Sequence, residues 1–177
     1  YALGANVSLA IGLWTRPGPP RLDEPPWLPL AELPCTFEGW TRADEARVAI
    51  QTLLDQHVAA IAISFLWGFV NPAHELAVRR MVQEMAPSVF VTCAHELIAK
   101  PGEYERTAAT AINCFIGPDS SGYLERVQER AKHLGYQHPL LIMQASGGVA
   151  TAREAAHKPV FTIGSGPVGG VIGSQFL

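Results

Sequence analysis

Charge is scarce in this chain. Of its 177 residues only 16% are Asp, Glu, Lys or Arg, against about a quarter in an average soluble domain. The 13 basic and 16 acidic side chains leave a formal charge of −3, with no basic tract. Electrostatic binding of nucleic acid, which needs Lys and Arg on phosphates, is therefore not expected. Cysteine is rarer still. Cys35, Cys93 and Cys114 are odd in number, far apart and free of any Cys-x-x-Cys pairing. They read as reduced, buried thiols of a cytoplasmic protein. No apolar run reaches the roughly 18 residues of a membrane-spanning helix, so no membrane partner is expected. Familiar catalytic signatures are missing as well. His74-Glu75 and His95-Glu96 are followed by Val78 and Ala99 where an HExxH helix would place its second histidine. No glycine-flanked serine elbow and no nucleophile beside a base stands out.

What is present is apolar material: 48% of the residues are hydrophobic, enough for one domain with a core. Low charge beside ordinary apolar content implies a piece that buries surface against something else. The chain opens at Tyr1 with no charged segment ahead of an apolar one, and it stops at Phe176-Leu177 without a polar cap. Both ends read as cuts in a longer polypeptide. Seven prolines from Pro17 to Pro34 set residues 1–40 apart as a strand (Val7 to Trp14) plus an extended linker or surface excursion.

From Thr41 to Leu177 the texture is that of an α/β domain. Thr41 with Asp44 resembles a capping box, and Ala46, Ile50, Leu53 and Leu54 follow at helical spacing. Ala59 to Leu66 is a continuous apolar run of the kind found in strands buried on both faces. Asn71-Pro72 signals a helix that ends before Pro87, and Val89 to Cys93 predicts the next strand. Glu103 to Phe115 and Pro118 to Leu134 read as two helices hinged at Gly117-Pro118, with Gly135 closing the second. Leu140 to Met143 and Val160 to Ile163 read as strands, and Thr151 to Ala156 as a short helix. The alternation predicts a mainly parallel sheet with crossover helices.

Four features could carry chemistry. Gly164-x-Gly166-x-x-Gly169 has the spacing of a dinucleotide-binding turn, but Pro167 sits inside it, and the chain ends before the acidic residue such a fold wants. Close packing of Gly166, Gly169, Gly170 and Gly173 against a neighbour is the alternative. Gln144 to Gly148 follows a buried strand, where small residues suit a backbone lip around a ligand or an ordinary loop. His74, His95 and Glu96 would share a metal or substrate site if the strand ends before them are adjacent. Otherwise they serve as caps and loop hydrogen bonds. Glu103 and Glu105 suit a helix N-terminus, Glu103 with Arg106 forms an i,i+3 pair, and Asn113 reads as a buried amide. His57, His133, His138 and His157 read as surface residues.

Four stretches together resemble the hydantoinase A/5-oxoprolinase family. They are Phe65 to Glu75; His95-Glu96-Leu97 with Gly102 to Thr107; Leu141 to Gly148; and Ser165 to Val171. Their order and spacing cover residues 41–177, whereas residues 1–40 match loosely. The resemblance implies part of an actin/hexokinase-like ATPase: the late first lobe and the start of the interlobe helix. It implies an ATP- and Mg²⁺-dependent enzyme opening hydantoin or 5-oxoproline rings, with a hydantoinase B-type partner subunit. An acetone- or acetophenone-type carboxylase subunit is the alternative within the family. A dinucleotide-binding domain or a non-catalytic scaffold is the alternative outside it. The family's DxGGT-type phosphate loops are expected outside the chain, since no Asp-x-Gly-Gly occurs in it. Under this reading His74, His95, Glu96 and Glu103 are candidates for substrate or metal contacts. His74 and His95 would hold any second divalent metal, and Ser146, Gly147, Gly166 and Gly169 would shape a nucleotide cleft.

Overall fold

The computed structural model describes residues 13–14 and 43–176; Thr41, Cys35 and the linker 15–40 lie outside the described residues. The chain divides into two compact units, one ending at Phe115 and one beginning at Ile116.

In the first unit, β1 (Leu13–Trp14), β2 (Ala60–Ile63) and β3 (Phe90–Cys93) form a sheet in that order. β2 and β3 are parallel, with Ala60 opposite Phe90 and Ile63 opposite Cys93, while β1 runs antiparallel to β2. A parallel pair needs a crossover, and α2 (Ala73–Met85) supplies it. Together with α1 (Ala43–Asp55), α2 sets Ile50, Leu53, Val78 and Val82 against Ile61, Ile63, Phe65 and Cys93. α3 (Ala94–Leu97) follows β3, and α4 (Glu103–His133) begins soon after. Strand alternation turns Ala60 and Ala62 away from the first core, to meet Cys114 of α4 and Phe90. Two alanines let the helix backbone come close to the sheet. Asn71 caps α2 from one residue further out than expected: its Oδ1 accepts from the Ala73 N–H at 3.1 Å, with Pro72 between.

The second unit holds the rest of α4, β4 (Leu141–Met143), β5 (Val149–Thr151), α5 (Ala152–His157), a 3-10 turn at Pro159–Thr162, and α6 (Ser165–Gly173). Leu124 of α4 packs with Ala155, Ala156 and Ile142. Gly135 ends α4 as expected, at φ +90, where the N–H groups of Gly135 and Tyr136 return to the carbonyls of Lys132 and Ala131.

Three expectations change here. β4 pairs antiparallel with β5, so Gln144 to Gly148 is a hairpin turn and not a strand-to-helix loop. Val160 to Ile163 forms no strand, because Pro159 sets the opening φ of a tight turn. The hinge at Gly117-Pro118 is also absent. α4 runs unbroken for 31 residues with Pro118 inside it. An interior proline costs about 3 kcal/mol, and burial of Thr110, Asn113 and Cys114 on one side of it and Leu124 on the other outweighs that.

Candidate functional site

The C-terminal edge of a parallel strand pair is where open α/β sheets place ligands. At that edge β2 runs on into Phe65 and a loop to Asn71, α2 contributes Glu75, β3 delivers His95 through α3, and α4 contributes Glu103 and Arg106. Glu75, Val78 and Val82 form the buried stripe of α2, so a carboxylate occupies a core position. An unpaired charge there would be strongly destabilising. Four N–H groups satisfy it. Oε1 accepts from the Phe65 N–H at 3.0 Å and from Arg106 Nη2 at 3.4 Å. Oε2 accepts from the His95 backbone N–H at 2.9 Å and from its ring Nδ1 at 2.6 Å. Since a carboxylate only accepts, this geometry assigns the proton to Nδ1.

Arg106 is fully buried as well. Its Nη1 donates to Glu103 Oε2 at 2.6 Å, its guanidinium lies 5.3 Å from the centre of the Phe69 ring, and its Nε has no partner among the described residues. The other oxygen of Glu103 accepts from the Trp67 N–H at 3.0 Å. Trp67 holds φ at +57, unusual for a bulky residue, yet its indole is 67% exposed and stacks on Phe69. Gly68 is required between these two aromatics. A Cβ there would lie 2.3 Å from Glu75 Oε1 and 3.0 Å from Arg106 Nη2.

Of the residues expected to act, His95 and Glu103 join this cluster. Glu96 pairs instead with Arg79, and His74 stands beside the Phe65 ring. The residue His95 meets is Glu75, not His74. Glu75 is not among the expected site residues, and Arg106 enters them only as the i,i+3 partner of Glu103, a pair that forms; the signal that marks both is position. Glu75 continues the Val78–Val82 stripe, and Arg106 the stripe of Thr110 and Asn113. In the second unit, Ser146 and Gly147 lie in the β4–β5 turn and Gly166 and Gly169 on α6. Packing explains Gly147, whose Cβ would come within 3.1 Å of Ile172 Cδ1 and whose φ is +89. It does not explain Gly166, Gly170 or Gly173, which face open space among the described residues.

Ligand-type atoms of Glu75, Cys93 and His95 fall within 4.8 Å of one another. As they stand they do not fit a metal centre. Burial, reinforced by the charges of Glu96 and Glu75, pushes the Cys93 thiol far up, so it stays protonated. A cation would also displace the N–H groups that hold Glu75.

Residues 106–177 match the hydantoinase/oxoprolinase family, and residues 39–86 match the N-terminal region of the same family. The chain belongs to the hydantoinase/oxoprolinase family. It is 38% identical over 126 residues to caprolactamase subunit alpha of Pseudomonas jessenii, covering 70% of this chain and 18% of that protein. It is 30% identical over 139 residues to the acetophenone carboxylase gamma subunit of Aromatoleum aromaticum, covering 76% and 19%. Among solved structures, nucleotide-free acetone carboxylase superposes with a TM-score of 0.67 at 26% identity, over 83% of this chain and 20% of that one. The chain thus spans about a fifth of the length of the relatives it matches.

Proposed function

We propose that the chain is part of a cytoplasmic, ATP- and Mg²⁺-dependent enzyme that opens a small cyclic amide, a hydantoin, 5-oxoproline or a lactam. The observation that carries this reading is the 38% identity to an ATP-dependent amide-opening relative, caprolactamase subunit alpha. Transfer of a phosphoryl group to the amide oxygen would turn an unreactive carbonyl into one with a good leaving group. Such transfer depends mostly on positioning and charge neutralisation. The groups that clasp ATP and Mg²⁺ belong by this reading to segments outside the chain, in an ATPase lobe of the actin/hexokinase kind. His95 and Glu103 then face substrate, His74 and Glu96 flank it, and Ser146, Gly147, Gly166 and Gly169 shape the nucleotide cleft. A second divalent ion would have to strip the Glu75–His95 pair of its hydrogen bonds.

Relatives that are named as subunits support a partner of the hydantoinase B type. Among the described residues no helix is long and apolar enough to cross a membrane. The likeness to acetone carboxylase supports a second reading, phosphorylation and carboxylation of a ketone. ATP hydrolysis by the full-length protein with its partner subunit separates the two. Stimulation by hydantoins, 5-oxoproline or lactams is expected. Stimulation only by acetone or acetophenone with bicarbonate would select the second reading. The 177-residue chain by itself should not hydrolyse ATP.

A further inference from the structure

We propose that His95, oriented by Glu75, is the base that removes the substrate proton lost when the carbonyl oxygen is phosphorylated. This rests on the functional reading above and names the residue that reading lacks. When a secondary amide attacks ATP through its oxygen, the new O–P bond uses the C=O π electrons and the γ-phosphorus–oxygen bond breaks, releasing ADP. The nitrogen lone pair then supplies the second bond of C=N, and the N–H bond breaks: its electron pair stays on nitrogen as the new lone pair, and the proton must go to a base. A ketone makes the same demand, with an α C–H in place of N–H. Both branches therefore need one free lone pair beside the carbonyl.

At the β2–β3 edge the carboxylates are committed. Glu75 accepts four N–H groups. Glu103 has one oxygen on the Trp67 N–H and the other on Arg106, and Glu96 is paired with Arg79. His95 differs. Its Nδ1 donates to Glu75, so a neutral ring carries its lone pair on Nε2, which has no hydrogen-bond partner among the described residues. With 17% of its side chain exposed, the ring is reachable but sheltered. The backbone N–H and ring Nδ1 of His95 reach the same oxygen of Glu75, which fixes both the tautomer and the ring orientation. A buried carboxylate that orients an imidazole in this way is the arrangement of acyl-transfer triads. Glu75 is a positioning residue; Gly68 and Arg106 keep it in place.

The test uses the full-length protein with its partner subunit. His95→Gln should lower kcat by about 10²- to 10⁴-fold while ATP still binds with wild-type affinity. Glu75→Gln should lower kcat at least about tenfold with little change in KM. In ¹⁵N-histidine-labelled wild type, the resonance absent from His95→Gln should show a protonated Nδ1 and a bare Nε2. Glu75→Gln should convert it to a mixture of tautomers, which a merely structural role for Glu75 would not do. If Glu75→Gln fails to fold, the wild-type spectrum still decides: a protonated Nε2 beside a bare Nδ1 overturns the assignment. Full turnover by His95→Gln overturns the dyad and leaves the functional reading intact. No amide- or ketone-dependent ATP turnover by the wild type overturns both.

Discussion

Cys114 sits between Ala60, Ala62 and Phe90, and burial pushes its thiol from 9.0 up to about 12, with hydrogen bonding to Thr92 offsetting only part of the rise. The native protein therefore keeps a proton that the unfolded chain releases above pH 9. Its contribution is complete below pH 9 and is lost as pH rises toward 12, at roughly 1 kcal/mol per pH unit. Urea midpoints should fall faster with pH above 9 in the wild type than in Cys114→Ala; parallel profiles would refute this. Gly68 makes a sharper prediction. Ala at this position must push Glu75 away from Arg106, and separating buried charges costs about 3–5 kcal/mol. The Gly68→Ala melting temperature should drop by many degrees, and an unchanged value would show that the cluster yields easily. The sequence named His95 and Glu103 by their place after a strand and at a helix start. It also paired Arg106 with Glu103, and that pair forms; Glu75 escaped it, because a charged residue on an apolar stripe reads as a solvated one until its partners are seen. Those partners lie 20 and 31 residues away along the chain.

α4 shows where local signals mislead at the scale of elements. Gly117-Pro118 is a break by every local rule, yet the helix continues through it. If burial alone holds the helix there, Pro118→Ala should restore a backbone hydrogen bond and stabilise the protein. The gain should be about 1–2 kcal/mol, after allowing for the freer unfolded chain. Calorimetry would read this as a raised melting temperature, and destabilisation would show that the proline is needed where it stands. The helices α1 and α2 were legible from apolar residues at helical spacing, α2 also from Asn71-Pro72, and strands β2 and β3 from short continuous apolar runs. β5 and the Pro159–Thr162 turn were not. A three-residue strand has too few positions for alternation to register, and apolar β-branched residues occur in tight turns whenever a proline opens them.

For the whole molecule, four short motifs told more than composition did. Phe65 to Glu75 and Gly102 to Thr107 turn out to be the loop and helix start that enclose the Glu75–Arg106 pair, which gives their spacing a physical reason. Composition set expectations against nucleic-acid binding, a disulfide framework and a membrane helix. It could not reveal a buried charge network. The central claim is that a protein containing this chain couples ATP to the opening of a cyclic amide. The most direct test is to follow ADP and the ring-opened acid together, in the full-length protein with its partner subunit and a panel of hydantoins, 5-oxoproline and lactams. The account predicts that ADP appears only when a cyclic amide is present and that the acid forms in equal amount. ADP release that ignores every amide, or ring opening without ATP, would contradict it.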